Sequence, residues 1–180
     1  KIGNLGNVFS HNLGVRIIPP VSGGFDSFWK SSVFWMGHLD NAFLGNVAVG
    51  EDSGSTGAGY LIDEETGSAN IYPFIFVANE AHSGMHGGIR SWINGPPPFD
   101  LVGFLSWRNT GGINWGAYDA PFKVHQSKFI ENIGNGISIT SVRTHVQDSL
   151  FQDNGDHGFF IGGYVKWTSP DRAVQLIRNT

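Results

Sequence analysis

A large apolar residue lies three positions before an asparagine again and again along this chain. The six clear copies are Phe9–Asn12, Phe43–Asn46, Phe76–Asn79, Phe129–Asn132, Phe151–Asn154 and Leu176–Asn179. A looser copy ends in Trp107-Arg108-Asn109, and successive asparagines are 34, 33, 30, 23, 22 and 25 residues apart. Recurrence on this scale is typical of stacked structural repeats. The shortest spacings indicate a minimal repeat of about 22 residues, with loops inserted in the longer copies.

The residues around these asparagines are typical of short strands joined by tight turns. Glycine follows most of them, and brief apolar stretches such as 137–139 and 159–161 come next. The 26 Gly, 8 Pro and 14 Phe among 180 residues agree with many short strands. We therefore predict one all-β domain over residues 1–180, a right-handed, single-stranded parallel β-helix of about seven coils. A leucine-rich solenoid would need more leucine, and a β-sandwich would not keep this spacing.

The asparagines have a structural role in such a stack. An inward-facing asparagine at a bend can donate to and accept from backbone groups and the asparagine of the next coil. We expect one continuous ladder formed by Asn12, Asn46, Asn79, Asn109, Asn132, Asn154 and Asn179. The apolar residue three positions earlier would then face the core.

Long loops are expected in the N-terminal coils, at residues 19–40, 51–59 and around 96–98. Both ends of the sequence interrupt a coil, so we expect the chain to be part of a longer protein. Adjoining coils of that protein, or neighbouring subunits in a filament, are the expected partners. Without them, core residues such as Phe9 and Leu176 would be exposed and would promote end-to-end association.

The charge and the lack of cysteine exclude several classes of function. The chain has 11 Lys and Arg against 15 Asp and Glu, and the basic residues are scattered singly, which argues against a nucleic-acid-binding face. It has no uninterrupted apolar run long enough to predict a membrane span. It has no Cys, which excludes disulfides, thiol catalysis and thiolate metal sites.

Two segments resemble a known type of β-helix. Residues 79–82 read Asn-Glu-Ala-His, and residues 103–108 read Gly-Phe-Leu-Ser-Trp-Arg. With the pattern at 40–65, they resemble the parallel β-helix of the fibrocystin family and of the cell-surface hyaluronidases, and the resemblance covers most of residues 4–140. It implies an extracellular or cell-surface protein, with a cilium or flagellum as one setting, and a structural or adhesive role. The hyaluronidase branch cleaves a glycosaminoglycan, but the resemblance carries no catalytic residue to this chain.

Candidate catalytic residues are few. His82 and His86 have a spacing that binds zinc on a helix, but here they lie in a glycine-rich turn, and we expect no metal site there. Glu80, Asp100 and Asp119 are candidates for the carboxylate pair of a glycoside hydrolase, which needs two carboxylates in one site. No coil other than that of Asp119 has a carboxylate at the same offset, so His82, Glu80 and Asp119 remain candidates without a defined partner.

Aromatic and basic residues between positions 90 and 118 suggest a glycan-binding surface. The candidates are Trp92, Trp107, Arg108, Trp115 and Tyr118, with Arg90 beside them. Aromatic rings pack under sugar rings, and guanidinium groups bind carboxylates in two-pronged hydrogen bonds. The alternative is that these tryptophans only pack in the core.

We expect no cofactor, and calcium is the one ion for which the sequence offers a hypothesis. Residues 153–156 and 63–65 are acidic turns, although neither has the full ligand spacing. Through the resemblance, the chain is expected to be an extracellular structural or adhesive β-helix module of a larger fibrocystin-like protein, with a non-catalytic glycan-binding domain as a further reading. The alternative is an enzyme that degrades uronic-acid polymers, as a glycosidase or a polysaccharide lyase.

Overall fold

The chain winds as a parallel β-helix in which each of the first six coils has three strands and the seventh has one, within the described residues. The computed structural model describes residues 6–16, 32–36, 41–52, 57–63, 74–92, 99–115, 121–139, 143–162 and 174–180. These residues form 19 strands and no helix, and the strands pair in parallel within three sheets. Each strand pairs with its counterpart one coil away, as in Phe43 with Phe76 or Phe129 with Phe151. The predicted all-β parallel β-helix of about seven coils is therefore confirmed.

The sheets are named A, B and C in the order in which a coil visits them. Sheet A contains β1 (Val8–Ser10), β4 (Ala42–Leu44), β7 (Ile75–Val77), β10 (Phe99–Val102), β13 (Pro121–His125), β16 (Arg143–Gln147) and β19 (Gln175–Ile177). Sheet B contains β2 (Leu13–Val15), β5 (Val47–Val49), β8 (Glu80–His82), β11 (Leu105–Trp107), β14 (Lys128–Ile130) and β17 (Leu150–Gln152). Sheet C contains β3 (Ser32–Met36), β6 (Ala58–Asp63), β9 (Gly87–Trp92), β12 (Gly111–Trp115), β15 (Ile137–Ile139) and β18 (Phe159–Ile161).

The first corner, from sheet A to sheet B, has two residues in every coil that the structure describes. The first of them has a positive φ, as in His11 (54°), Ala78 (54°) and Gln126 (50°). Its N–H donates to a carbonyl of the next coil, for example from Ala78 to Val102 at 2.8 Å. The left-handed residue turns the chain by a sharp angle and keeps the hydrogen bonding between coils unbroken across the bend.

The second residue of the first corner faces inward and forms a ladder. The N–H and the Nδ2 of Asn12 both donate to Oδ1 of Asn46, at 3.0 and 2.9 Å, and Asn46 repeats this toward Asn79. Phe104 interrupts the row, which then continues through the hydroxyls of two serines and ends at Asn179. Those later links are Phe104 N–H to Ser127 at 3.1 Å, Ser127 N–H to Ser149 at 3.2 Å and Ser149 N–H to Asn179 at 2.9 Å.

A separate ladder lies at the second corner, from sheet B to sheet C. The N–H of Asn109 donates to Oδ1 of Asn132 at 3.2 Å, and Nδ2 of Asn132 donates to Oδ1 of Asn154 at 2.9 Å. The prediction of one continuous ladder is therefore wrong, because the hydrogen bonds divide the asparagines between two corners. At both corners, a strand is followed by a left-handed residue and then by an inward residue. The same apolar-x-x-Asn spacing therefore arises at either corner.

The phenylalanines of the repeat fill the core, as predicted. Phe43, Phe76 and Phe129 are at most 3% exposed, and Phe129 stacks on Phe151 with ring centroids 5.2 Å apart. These rings pack against glycines at the start of the sheet C strands. A Cβ on Gly112 would meet the Gly136 carbonyl oxygen and would lie 2.6 Å from the Phe129 ring, so only glycine fits there.

In the first and last coils, the apolar residues of the repeat are exposed to solvent. Phe9 is 42% exposed and Leu176 is 53% exposed, in agreement with the expectation for these two positions. Within the described segments, no helix has the length and apolar character needed to cross a membrane.

The second-corner ladder predicts a measurable loss of stability for Asn132→Leu. Oδ1 of Asn132 accepts from the Asn109 N–H and from the Ser106 hydroxyl, and its replacement leaves these buried groups without an acceptor. We expect the free energy of unfolding to fall by about 1–3 kcal/mol. Denaturant unfolding measures this change. Asn114→Leu, at an exposed position of β12, is the control and should change stability by no more than about 0.5 kcal/mol.

Candidate functional site

A groove of about 310 Å³ runs along the outer face of sheet C, beside the loops of the second corner. We call it the sheet C groove. Glycines form much of its floor, among them Gly87 and Gly111, which are paired in neighbouring strands. The polar side chains that line it are those of His86, Arg90, Thr110, Asn114, Asn135, Ser138 and Asp156.

Strand pairing brings the central residues of the groove together. Arg90 of β9 pairs with Asn114 of β12, which pairs with Ser138 of β15. Successive strands are about 4.8 Å apart, so each coil adds one polar side chain at that interval. The flanking residues Ile113 and Ile137 are at most 1% exposed, and because side chains alternate along a strand, the three polar residues face outward.

The groove contains one guanidinium, that of Arg90, and one histidine, His86, whose pKa is lowered. Burial lowers the pKa of Arg90 from its usual value, although a guanidinium stays charged at neutral pH. Burial also lowers the pKa of His86, the nearby Arg90 charge lowers it further, and Asp52 opposes these effects. At neutral pH the described part of the groove therefore holds the Arg90 cation, a neutral His86 and the carboxyl group of Asp156.

This arrangement suits a ligand that has many hydroxyl groups. Amides and hydroxyls such as those of Asn114, Asn135 and Ser138 can each donate and accept hydrogen bonds. A floor of glycine leaves the backbone accessible to a flat ligand. Arg90 adds a site for a carboxylate or for a hydroxyl oxygen.

The predicted glycan-binding residues do not all lie at this groove. Arg90 does, but Trp107 and Arg108 belong to β11 and the corner after it, at sheet B. Trp92 and Trp115 are in strands of sheet C, but their side chains lie outside the described part of the structure, as does all of Tyr118. A single glycan surface formed by the predicted set therefore remains a prediction.

Trp107 is held in a cluster on the outer face of sheet B. Its ring stacks on His82 with centroids 4.4 Å apart and planes 17° apart, and its Nε1–H donates to Glu80 Oε1 at 2.8 Å. Arg108 lies beside the same ring and pairs with Glu131 at 2.7 Å. These contacts occupy one face of the indole and the Nε of the guanidinium that were expected to bind sugar.

The structure brings two of the candidate catalytic residues together and separates the others. His82 Nε2 lies 3.9 Å from Glu80 Oε1, but both side chains belong to the Trp107 cluster, whereas His86 lines the sheet C groove. Asp100 is in sheet A, where its Oδ1 is 3.4 Å from His125 Nε2. Glu80 and Asp100 therefore do not form a pair, and Asp119 lies outside the described residues.

Metal ligands are not gathered in the described segments. No group of three or more His, Asp or Glu side chains there could hold an ion. Asp153 of the proposed calcium turn accepts a hydrogen bond from Gln152 at 3.1 Å, and Glu64 and Glu65 lie outside the described residues. Calcium binding stays a prediction.

Asn114, Asn135 and Ser138 were not identified as site residues from the sequence, and Asp156 was indicated only as part of a candidate calcium turn. A signal for two of them exists in the triplets Gly-Ile-Arg at 88–90, Gly-Ile-Asn at 112–114 and Gly-Ile-Ser at 136–138. The third residue of each triplet is the outward one. Asn135 and Asp156 come from corner loops, and the triplets do not indicate them.

Comparison of the chain with protein-family models, with curated proteins and with solved structures finds no match. The resemblance to the fibrocystin and cell-surface hyaluronidase families therefore rests on the sequence motifs alone and stays a prediction.

The environment of His86 predicts a pKa below its ordinary value of 6.5. Between the two values, the unfolded chain binds a proton that the native protein does not, so stability falls as the pH is lowered through this range. Above about 6.5 both states are neutral at this side chain and the full stability is present. An NMR titration of the histidine resonances, assigned with His86→Gln, measures the pKa. A midpoint at or above 6.5 would contradict the burial and the Arg90 effect described above.

Proposed function

We propose that this chain is a glycan-binding β-helix module with a structural or adhesive role at the cell surface. The observation that carries the proposal is the sheet C groove, in which Arg90, Asn114 and Ser138 follow one another in successive coils. A linear polysaccharide offers a repeating set of hydroxyls to such a repeating set of side chains. Carboxylates on the polymer would bind Arg90.

Other ligand classes suit the groove less well. Nucleic acid needs several clustered cations, whereas Arg90 is the one Arg or Lys that lines the groove within the described residues, and the net charge is −4. A peptide that joins a sheet needs an open strand edge, and the groove lies on the face of sheet C instead. A sugar polymer needs mixed donors and acceptors with few charges, and these are present.

Partners and location belong to the same proposal. Val8, Leu13 and Val15 are 63%, 66% and 57% exposed in β1 and β2, and such apolar residues favour contact with further coils. Adjoining coils of a longer fibrocystin-like protein, or of a neighbouring subunit, would bury them. An extracellular or ciliary setting follows from the motif resemblance alone.

Arg90→Gln tests the proposed function. Loss of a charged hydrogen bond costs about 1.5–3 kcal/mol, so affinity for hyaluronan oligosaccharides should fall by at least about tenfold. Isothermal titration calorimetry, with neutral cello-oligosaccharides in parallel, measures the affinity and shows whether Arg90 binds a carboxylate. The matched control is Arg108→Gln, which removes a guanidinium outside the groove and should leave affinity unchanged.

Two outcomes would contradict the proposal. Equal affinity of wild type and Arg90→Gln would place the glycan site elsewhere. Clear depolymerisation of uronic-acid polymers, followed by viscometry and lost in variants of His82, would favour the enzymatic alternative over a binding module.

A further inference from the structure

An exposed phenylalanine continues the row of outward residues beyond the sheet C groove. Ser138 pairs with Phe160 of β18, so Phe160 occupies the next outward position after Arg90, Asn114 and Ser138. The triplet at 158–160 reads Gly-Phe-Phe, in the same frame as the three Gly-Ile-polar triplets. Phe160 is 40% exposed, which leaves part of its ring accessible to a ligand.

Contacts join Phe160 to the wall of the groove. Its ring centroid is 5.5 Å from that of His157, and Nδ1 of His157 is 3.0 Å from Oδ1 of Asn135. Asn135 lines the groove, and so does Asp156, the residue before His157. The aromatic ring is thus held at the margin of the polar site.

The opposite end of the row is closed. The outward position before Arg90 is that of Leu61, which is only 4% exposed. A ligand that contacts Arg90 therefore extends toward Asn114, Ser138 and Phe160. The accessible row spans three coil steps, or about 14 Å.

We propose that Phe160 is a stacking platform for a sugar ring and that the saccharide lies along the axis of the β-helix, between Arg90 and Phe160. This inference rests on the proposed function and adds the orientation and the length of the ligand. The spacing of about 4.8 Å between coils is close to the length of one pyranose unit in an extended chain, so successive sugars meet successive side chains. Aromatic side chains offer a flat apolar surface for the apolar face of a pyranose ring.

The orientation predicts that affinity depends on ligand length. A disaccharide bound at Arg90 is too short to reach Phe160, whereas a tetrasaccharide reaches it. Phe160→Ala should therefore weaken tetrasaccharide binding by about fivefold, the order of magnitude of one aromatic contact, and leave disaccharide binding unchanged. Phe160→Leu should behave like Phe160→Ala because it lacks a ring, and Phe160→Trp should retain the affinity.

The experiment is calorimetric titration of these variants with hyaluronan and cello-oligosaccharides of graded length, after circular dichroism has shown that each variant is folded. Phe9→Ala is the matched control. Phe9 is 42% exposed, a fraction similar to the 40% of Phe160. It lies in sheet A, away from the groove, so its loss should leave every affinity unchanged.

The outcomes separate this inference from the proposed function. Binding that depends on Arg90 but is equal in wild type and Phe160→Ala for all lengths overturns the axial placement alone. Binding of disaccharide and tetrasaccharide with the same affinity also overturns it, because a ligand that crosses the groove gains nothing from added units. Absence of any binding by the wild type overturns both proposals.

Discussion

Hydrogen bonds between coils at the corners are the interaction on which this fold depends. Ten described residues other than glycine have a positive φ, and this conformation costs about 1–2 kcal/mol for each. The cost is offset because a left-handed corner residue directs its N–H at the next coil, as Glu131 does toward Gln152 at 2.9 Å. A buried N–H without a partner would cost about 1–3 kcal/mol. The strained corner is therefore the conformation in which parallel pairing continues without a gap.

The side chains of the inward asparagines add further hydrogen bonds between the coils. In every ladder asparagine except Asn12, the side-chain carbonyl oxygen accepts from the coil before it, and the amide also donates back to the backbone, as Asn154 does to Phe129 at 2.9 Å. Asn109, Asn132 and Asn154 directly precede the loops that line the sheet C groove. Because these hydrogen bonds fix the geometry of the second corner, they also fix the register in which Arg90, Asn114 and Ser138 stack. The sheet C groove has the periodicity of the core because both are set by the same hydrogen bonds.

The repeat length, the parallel strands and the inward phenylalanines could be predicted from the sequence, because apolar-x-x-Asn recurs once in nearly every coil. The division into two ladders could not be read from that spacing, since both corners use the same local pattern. A finer signal was present in Ser127 and Asn132, and again in Ser149 and Asn154, which are five positions apart and occupy the two corners of one coil. The groove was harder to predict because its polar residues are adjacent only through strand pairing between coils. The contacts of Trp107 could not be predicted for a similar reason, since His82 lies one coil away.

The constant length of the first corner has a consequence for how such a chain tolerates insertions and deletions. Every first corner in the described part of the chain has two residues, whereas the segment from a sheet C strand to the next sheet A strand varies from three residues, between β15 and β16, to thirteen, between β18 and β19. The segment from a sheet B strand to the next sheet C strand also varies, from three residues between β11 and β12 to sixteen between β2 and β3. Removal of one residue at a first corner would move the following strand by one position and exchange its core and solvent faces. The same removal before a sheet A strand only shortens a connection. Variation in length is therefore expected at the two other connections of each coil and not at the first corner, and whole coils are the natural unit of duplication.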